Sequence, residues 1–307
     1  MSRLLTVGIT TRNRPSALGA CLASMSVIAN LDPEVLVFDD ASTPPAVAAG
    51  ASAVPVRVIR DEAGPGYIVG RNRLVKEAQG QFVLLLDDDT RLLSMGSIET
   101  AVGVMQADPR VAAVAFAQAE ADGRPWPADM QPSTAKEPSV VPSFIGFAHL
   151  LRRAAFLELA GYRETFEFYG EEKEFCLRLI EAGYKTVYLP GALVAHVIDG
   201  ASRDRRRYLR CVSRNDCLNT LYNDPITRVV WMLPARFALY FRMRRSWKIA
   251  DPWGWAWLAR DVALRMPGVW KQRRPVSRAT LARWRLLRDH QTAYDVPLLH
   301  SGSAPGR

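Results

Sequence analysis

The stretch Phe82-Val83-Leu84-Leu85-Leu86-Asp87-Asp88-Asp89-Thr90-Arg91 decides how the rest of the chain is read. Five consecutive apolar residues fit a strand covered on both faces, the pattern of a largely parallel sheet. The three carboxylates that follow then stand at the carboxyl end of that strand, where open α/β sheets bind ligands. Adjacent like charges repel, so the triplet requires a cation or donor groups nearby. Its hard oxygens suit Mg²⁺ or Mn²⁺, and Mg²⁺ commonly joins one or two carboxylates to substrate phosphates. A solvated acidic turn or a helix N-cap would carry the same residues, so the flanking chain has to separate these readings.

Working outward, apolar runs at 4–10, 35–38 and 56–59 read as further strands. The first leads through the turn Thr11-Arg12-Asn13-Arg14-Pro15 into a helix expected over about 16–29. Gly64-Pro65-Gly66 breaks the chain before a helix through Arg71-Asn72-Arg73-Leu74-Val75. Beyond the acidic triplet come a helix over about 97–107 and a strand over 111–116. This alternation predicts an α/β fold with a doubly wound, Rossmann-like, mostly parallel sheet flanked by helices. Residues 118–142 are rich in Pro, Ala and charge around a lone Trp126. A connection that long is read as a functional lid or a disordered excursion. Gly170-Glu171-Glu172-Lys173-Glu174 opens a helix that Gly183 caps, and short strands at 186–189 and 192–196 follow.

The 307 residues are 49% hydrophobic and 23% charged, as in an ordinary folded protein. Charge is uneven: residues 1–200 hold 18 basic and 24 acidic side chains, while residues 201–307 hold 22 and 7. Seven of the eight tryptophans also lie in the second part, so a boundary is expected near residue 200, with a helical extension over 201–307. Cys21, Cys176, Cys211 and Cys217 have no zinc-like spacing and read as buried thiols of a reducing compartment. The start Met1-Ser2-Arg3 has no leader-like pattern, and no stretch reaches the ~18 apolar residues of a spanning helix. A cytoplasmic location is expected, at the inner face of the cell membrane if the tail binds lipid.

Polar clusters at Thr10–Asn13, Asp39-Asp40, Arg71-Asn72-Arg73 and Asp87–Asp89 all fall at strand ends or in the segments feeding them. Carboxylates beside guanidinium groups suit a metal-bound diphosphate. Taken in order, Val7-Gly8-Ile9-Thr10-Thr11-Arg12-Asn13, Phe38-Asp39-Asp40-Ala41-Ser42-Thr43, Arg71-Asn72-Arg73, Asp87-Asp88-Asp89 and Gly170-Glu171-Glu172 before Leu177-Arg178-Leu179 resemble the motifs of a family 2 glycosyltransferase with the GT-A fold. The resemblance covers residues 4 to about 200, and the tail is similar to those of bacterial rhamnosyltransferase-like members.

The resemblance implies a nucleotide-sugar donor (UDP-, dTDP- or GDP-linked), a divalent Mg²⁺ or Mn²⁺, and inverting transfer to a hydroxyl of a glycan, lipid-linked or small-molecule acceptor. Thr10 and Asp40 match the residues that hold the nucleoside, with Arg12 and Asp39 beside them. Arg71 approaches the diphosphate, Asp87 the ribose, and Asp88 completes the triplet. Asp89 matches the metal ligand, and His196 a late histidine that completes metal or phosphate contacts. Glu172 matches the general base, although Glu-Glu replaces the commoner Glu-Asp and leaves Glu171 as an alternative. Three glutamates in a helix's first turn are also favoured by its dipole alone, at ~0.3–1 kcal/mol each.

Arginines 203–210, Arg214-Asn215 and the aromatic stretches around Trp231 and Trp253 suit contact with an anionic membrane surface, or simple packing on the catalytic domain. No nucleic-acid recognition pattern accompanies the basic charge, so no nucleic acid is expected. A haloacid-dehalogenase-type phosphatase would need Thr or Val at Arg91, and a nucleotidyltransferase would need glycines within residues 11–15; both fail. The remaining alternative is a non-catalytic sugar-nucleotide or glycan-binding subunit of the same fold.

Overall fold

The computed structural model describes residues 3–47, 52–198 and 204–296; Met1-Ser2, the expected boundary near residue 200 and Arg203 lie outside the described residues. The amino-terminal half of the sheet is parallel. Strands β1 (Leu5–Thr11), β2 (Glu34–Asp40), β3 (Val56–Asp61) and β4 (Phe82–Asp87) stand in the order β3-β2-β1-β4. Strands β1, β2 and β4 are buried almost throughout, as their continuous apolar runs require, while β3 at the end of the sheet buries only Ile59. Register then fixes the chemistry: Thr10 stands opposite Asp87, and Thr11 opposite Asp39, so the polar strand ends share one edge.

The crossovers are α1 (Pro15–Ala23) and α2 (Tyr67–Glu77). The helix expected over 16–29 is α-helical only to Ala23 and continues as a 3₁₀ stretch from Ser24 to Leu31. Ser24 Oγ donates to the Cys21 carbonyl at 2.6 Å and Ser26 Oγ to Ala23, local bonds that compete with the α-helical ladder. Helix α2 begins at Gly66, whose φ of 95° is open to glycine and whose N–H donates to Asp40 Oδ1 at 2.8 Å. Gly70 lets α2 press onto Phe38 of β2, since any Cβ there would overlap the Phe38 ring.

The other half of the sheet is mixed rather than parallel. After β5 (Thr90–Leu92) and α3 (Met95–Ala107) come β6 (Val111–Ala119), β7 (Ser139–Val141), β8 (Ala148–Arg152), α4 (Arg153–Glu158), α5 (Glu171–Glu181) and β9 (Lys185–His196). Strand β8 runs antiparallel between β4 and β6, while β6 and β9 are parallel. The two strands expected at 186–189 and 192–196 are one, with a register shift where Pro190 cannot donate to the ladder. Strand β5 pairs with β9 so that Thr90 faces His196, which brings the late histidine to the acidic triplet. Residues 118–142 are ordered against this edge rather than a disordered excursion.

Helices α6 (Arg205–Asn223), α7 (Ile226–Ser246), α8 (Gly254–Gln272) and α9 (Arg278–Asp289) form the helical extension, and β10 (Thr292–Ala293) returns to pair with β7. The hydrophobic core under β2 and β4 continues through Phe175 into Leu218, Tyr222, Leu258 and Val262, so the extension shares the core of the sheet. A second core lies across the sheet under α1 and α3. All four cysteines are buried and unpaired. Gly70→Ala should lower stability by ~1–3 kcal/mol through overpacking against Phe38, read as a lower urea midpoint with an unchanged slope.

Candidate active site

Arg71 sits one turn into α2 and is 2% exposed. Its guanidinium donates to Asp87 Oδ1 at 2.7 Å, to Glu171 Oε1 at 2.9 Å and to the Gly146 carbonyl at 2.7 Å. Burial opposes the charge, but the two carboxylates outweigh it and raise the pKa further. One cation thus ties the end of β4 to the start of α5. Tyr67 lies against it, with ring centroid 4.7 Å from the guanidinium carbon, and donates to Glu171 Oε2 at 3.2 Å.

Glu171 is fully buried, with both oxygens engaged by Arg71 and Tyr67. Glu172 is half-buried beside Gly146, where a Cβ would overlap its Oε1. Burial raises the pKa of both, Glu172 adds repulsion at Glu171, and Arg71 opposes the rise. The third first-turn glutamate, Glu174, is structural: it is buried and bonded to Arg163, Arg178 and Asn223. Glu171 and Glu172 therefore occupy unequal positions: Glu171 is fully buried with both oxygens held by Arg71 and Tyr67, while Glu172 is half-buried.

The acidic triplet splits by direction. Asp88 turns into the protein, accepting from Thr11 Oγ1 at 2.8 Å and Arg14 Nη1 at 2.6 Å, and burial pushes its pKa up to about 7. Asp87, Asp89 and His196 converge, with one ligand atom from each within 4.8 Å of the others. His196 Nδ1 lies 2.7 Å from Gln118 Oε1, which can only accept, while Gln118 Nε2 donates to the Met130 carbonyl. Nδ1 therefore carries a proton, and Nε2 on the other side of the ring lies 3.5 Å from Asp89 Oδ1. That oxygen is buried without a hydrogen-bond donor. An orphaned carboxylate oxygen facing an imidazole nitrogen, with a second carboxylate within reach, fits a divalent cation held by Asp89 and His196 with Asp87 alongside. Trp126 and Phe147 stack on either ring contact of His196, at 5.4 and 5.0 Å between centroids.

At the neighbouring strand ends, Asp40 receives Gly66 N–H and Arg12 Nη1, the latter at 3.3 Å with Arg12 largely exposed. Thr10 is buried at the end of β1, in register with Asp87. Asp39 is turned inward: it accepts from the N–H groups of Ser42 and Ala46 and from Arg60, and so shapes the loop after β2. Arg14, Gln118, Trp126, Tyr67 and Gly146 were not among the site residues expected from sequence. Arg14 lay within the quoted turn after β1, and its place after a strand beside an acidic one was the available signal. Gln118 and Trp126 lie where no periodicity guides the reading.

The family model for Glycosyl transferase family 2 matches residues 6–160, about half of the chain. The chain belongs to that family. A pre-mycofactocin glycosyltransferase of Mycobacterium tuberculosis is 30% identical over 209 residues, covering 63% of this chain and 43% of that protein. The chain thus spans under half the length of that curated relative. Among solved structures, Staphylococcus aureus TarS 1–349 in complex with UDP-GlcNAc aligns with a TM-score of 0.61 at 17% identity, over 88% of this chain and 84% of that one. The mannosyltransferase PcManGT of Pyrobaculum calidifontis, in complex with GDP-Man and Mn²⁺, aligns at 0.53 and 16% identity, over 92% and 84%. These likenesses show a family 2 member with the GT-A fold and carry no further detail to this chain. Gln118→Leu should raise the Kd for Mn²⁺ ~10–100-fold by freeing the His196 tautomer, measured by electron paramagnetic resonance of bound against free Mn²⁺.

Proposed function

We propose that this chain is a metal-dependent, inverting glycosyltransferase that moves a sugar from a nucleoside diphosphate donor to an acceptor hydroxyl. The observation that carries the reading is Arg71: one buried cation couples the metal-binding edge at Asp87 to the paired glutamates that open α5. A binding subunit has no need of that coupling. A transferase does, because a donor diphosphate and an acceptor hydroxyl must meet at one carbon.

Thr10, Asp40 and Arg12 border the strand ends where the nucleoside would lie, following the general position of ligands in open α/β sheets. Asp89 and His196, with Asp87 beside them, would hold Mg²⁺ or Mn²⁺, whose charge offsets that developing on the departing diphosphate. Glu172 takes the proton from the acceptor hydroxyl. The acceptor oxygen then forms its bond to the anomeric carbon as the bond to the diphosphate oxygen breaks, so the configuration inverts. Arg71 keeps Glu171 in place and limits the rise of the Glu172 pKa, and Gly146 leaves room for the longer glutamate. UDP-, dTDP- and GDP-sugars are the donor classes, and a glycan, lipid-linked or small-molecule hydroxyl the acceptor.

The test is nucleoside diphosphate release from a panel of those donors with Mg²⁺ or Mn²⁺. Glu172→Gln should lower turnover ~10²–10⁴-fold while donor affinity, read by calorimetry, stays the same. Asp89→Asn should abolish the response to added metal. Release from no donor in the presence of membrane extract would instead favour the binding subunit. The pH dependence has a defined sign. A base with a raised pKa is protonated, and so inactive, over a wider acidic range than an ordinary glutamate at 4.5. The acid limb of kcat/KM should therefore lie above 4.5; a limb at or below that value would exclude Glu172.

A further inference from the structure

Helix α7 is inside out in its charges. At 100° per residue, Ile226, Val230, Trp231, Pro234, Ala238 and Phe241 share one arc of about half the circumference, and all six are exposed. Trp231 is 78% exposed and Val230 60%. The two charges within the same turns point inward instead. Arg228 pairs with Asp224 at 2.8 Å, and Arg236 reaches Asp216 at 3.8 Å. A surface helix ordinarily does the reverse, and a continuous apolar stripe over four turns marks a contact face. Helix α8 repeats the arrangement: Trp255, Ala259, Ala263, Pro267 and Trp270 share an exposed arc, and the one acid of the helix, Asp261, is turned to Arg265 at 2.8 Å. Helix α7 contains no acidic residue. The apolar stripes end in exposed cations: Arg242 and Arg245 in the last turns of α7 with Lys248 just beyond, and Lys271 in the last turn of α8 with Arg274 just beyond.

We infer that the outward faces of α7 and α8 lie in the headgroup layer of an anionic lipid bilayer. Tryptophan belongs at that depth because its ring is apolar and its N–H is polar, while arginine and lysine reach anionic headgroups. Charge decides against a second copy of the chain as occupant: a symmetric pairing of these faces would oppose basic rims with no acidic residue on α7 to meet them. No described helix is long and apolar enough to cross the bilayer, so the contact is interfacial. It also has a route to the cleft. Helix α6, against which α7 and α8 pack, holds the loop before Glu171 through Asn215 Nδ2, bonded to the Phe168 and Tyr169 carbonyls at 2.8 and 2.6 Å. The inference does not depend on the proposed chemistry, since the face would bind lipid whether or not sugar is transferred.

The experiment is co-sedimentation of the full chain with phosphatidylcholine vesicles, with and without phosphatidylglycerol, alongside light scattering of the free protein. Binding is expected only with phosphatidylglycerol and should weaken with salt. Trp231→Glu, at a site too exposed to unfold the chain, should lower partitioning at least about tenfold, and Arg242→Gln with Arg245→Gln about tenfold. Nucleoside diphosphate release without vesicles should be unchanged in both variants, which separates this inference from the reading of the active site. Failure to bind anionic vesicles would overturn the inference, as would binding indifferent to Trp231→Glu. A wild-type dimer dissociated by Trp231→Glu would assign the face to a second copy instead.

Discussion

Arg71 is a buried cation with two carboxylates and a carbonyl within 2.9 Å, and the arrangement of the cleft follows from satisfying it. Burying such a group costs several kcal/mol unless charge and hydrogen bonds return the loss, and deleting one partner strands the others. Asp87 must therefore stay at the end of β4, Glu171 at the start of α5 and Gly146 between them. Those three come from separate parts of the chain, so the cation acts as a register mark for the folded sheet. Phe38 against Gly70 and the glycine-capped start of α2 set where Arg71 can reach.

The aspartate edge is built on the opposite principle, by leaving charge unsatisfied. Arg14 neutralises Asp88 and one oxygen of Asp89, and Gln118 fixes the His196 ring, yet Asp89 Oδ1 and His196 Nε2 are left facing each other. An orphaned buried carboxylate oxygen is costly in a protein that only needs to be stable. Between them, the two edges hold fixed positive charge at the glutamates and an opening for added positive charge at the aspartates.

Sequence patterns revealed the parallel half of the sheet because doubly buried strands are written as uninterrupted apolar runs, each ending in a polar cluster. The triplet Asp87–Asp89 stood out as a candidate site for the same reason, because it follows such a run, whereas His196 was singled out only through the family resemblance. Strand β8 was not read as an antiparallel insertion, since residues 144–151 are apolar either way and pairing direction leaves no mark on composition. Gln118 and Trp126 were illegible because their role depends on where an aperiodic connection folds back. Asp39 shows the limit of a motif. It sits beside Asp40 in the sequence, but alternation along β2 sends its side chain into the sheet edge, where it holds the following loop.

The choice between two adjacent glutamates also rests on geometry rather than on residue type. Glu171 and Glu172 are both carboxylates with raised pKa, yet a proton acceptor needs an oxygen free to meet the incoming hydroxyl. Both oxygens of Glu171 already accept, from Arg71 and Tyr67. On the proposed reading the base is then Glu172, and its extra methylene relative to aspartate has to be accommodated. Gly146 supplies the space, because any side chain there would meet Glu172 Oε1 and the Arg71 guanidinium together. The Glu-Glu pair and a glycine twenty-five residues earlier are thus sterically linked: a side chain at 146 is excluded while Glu172 and Arg71 keep their places.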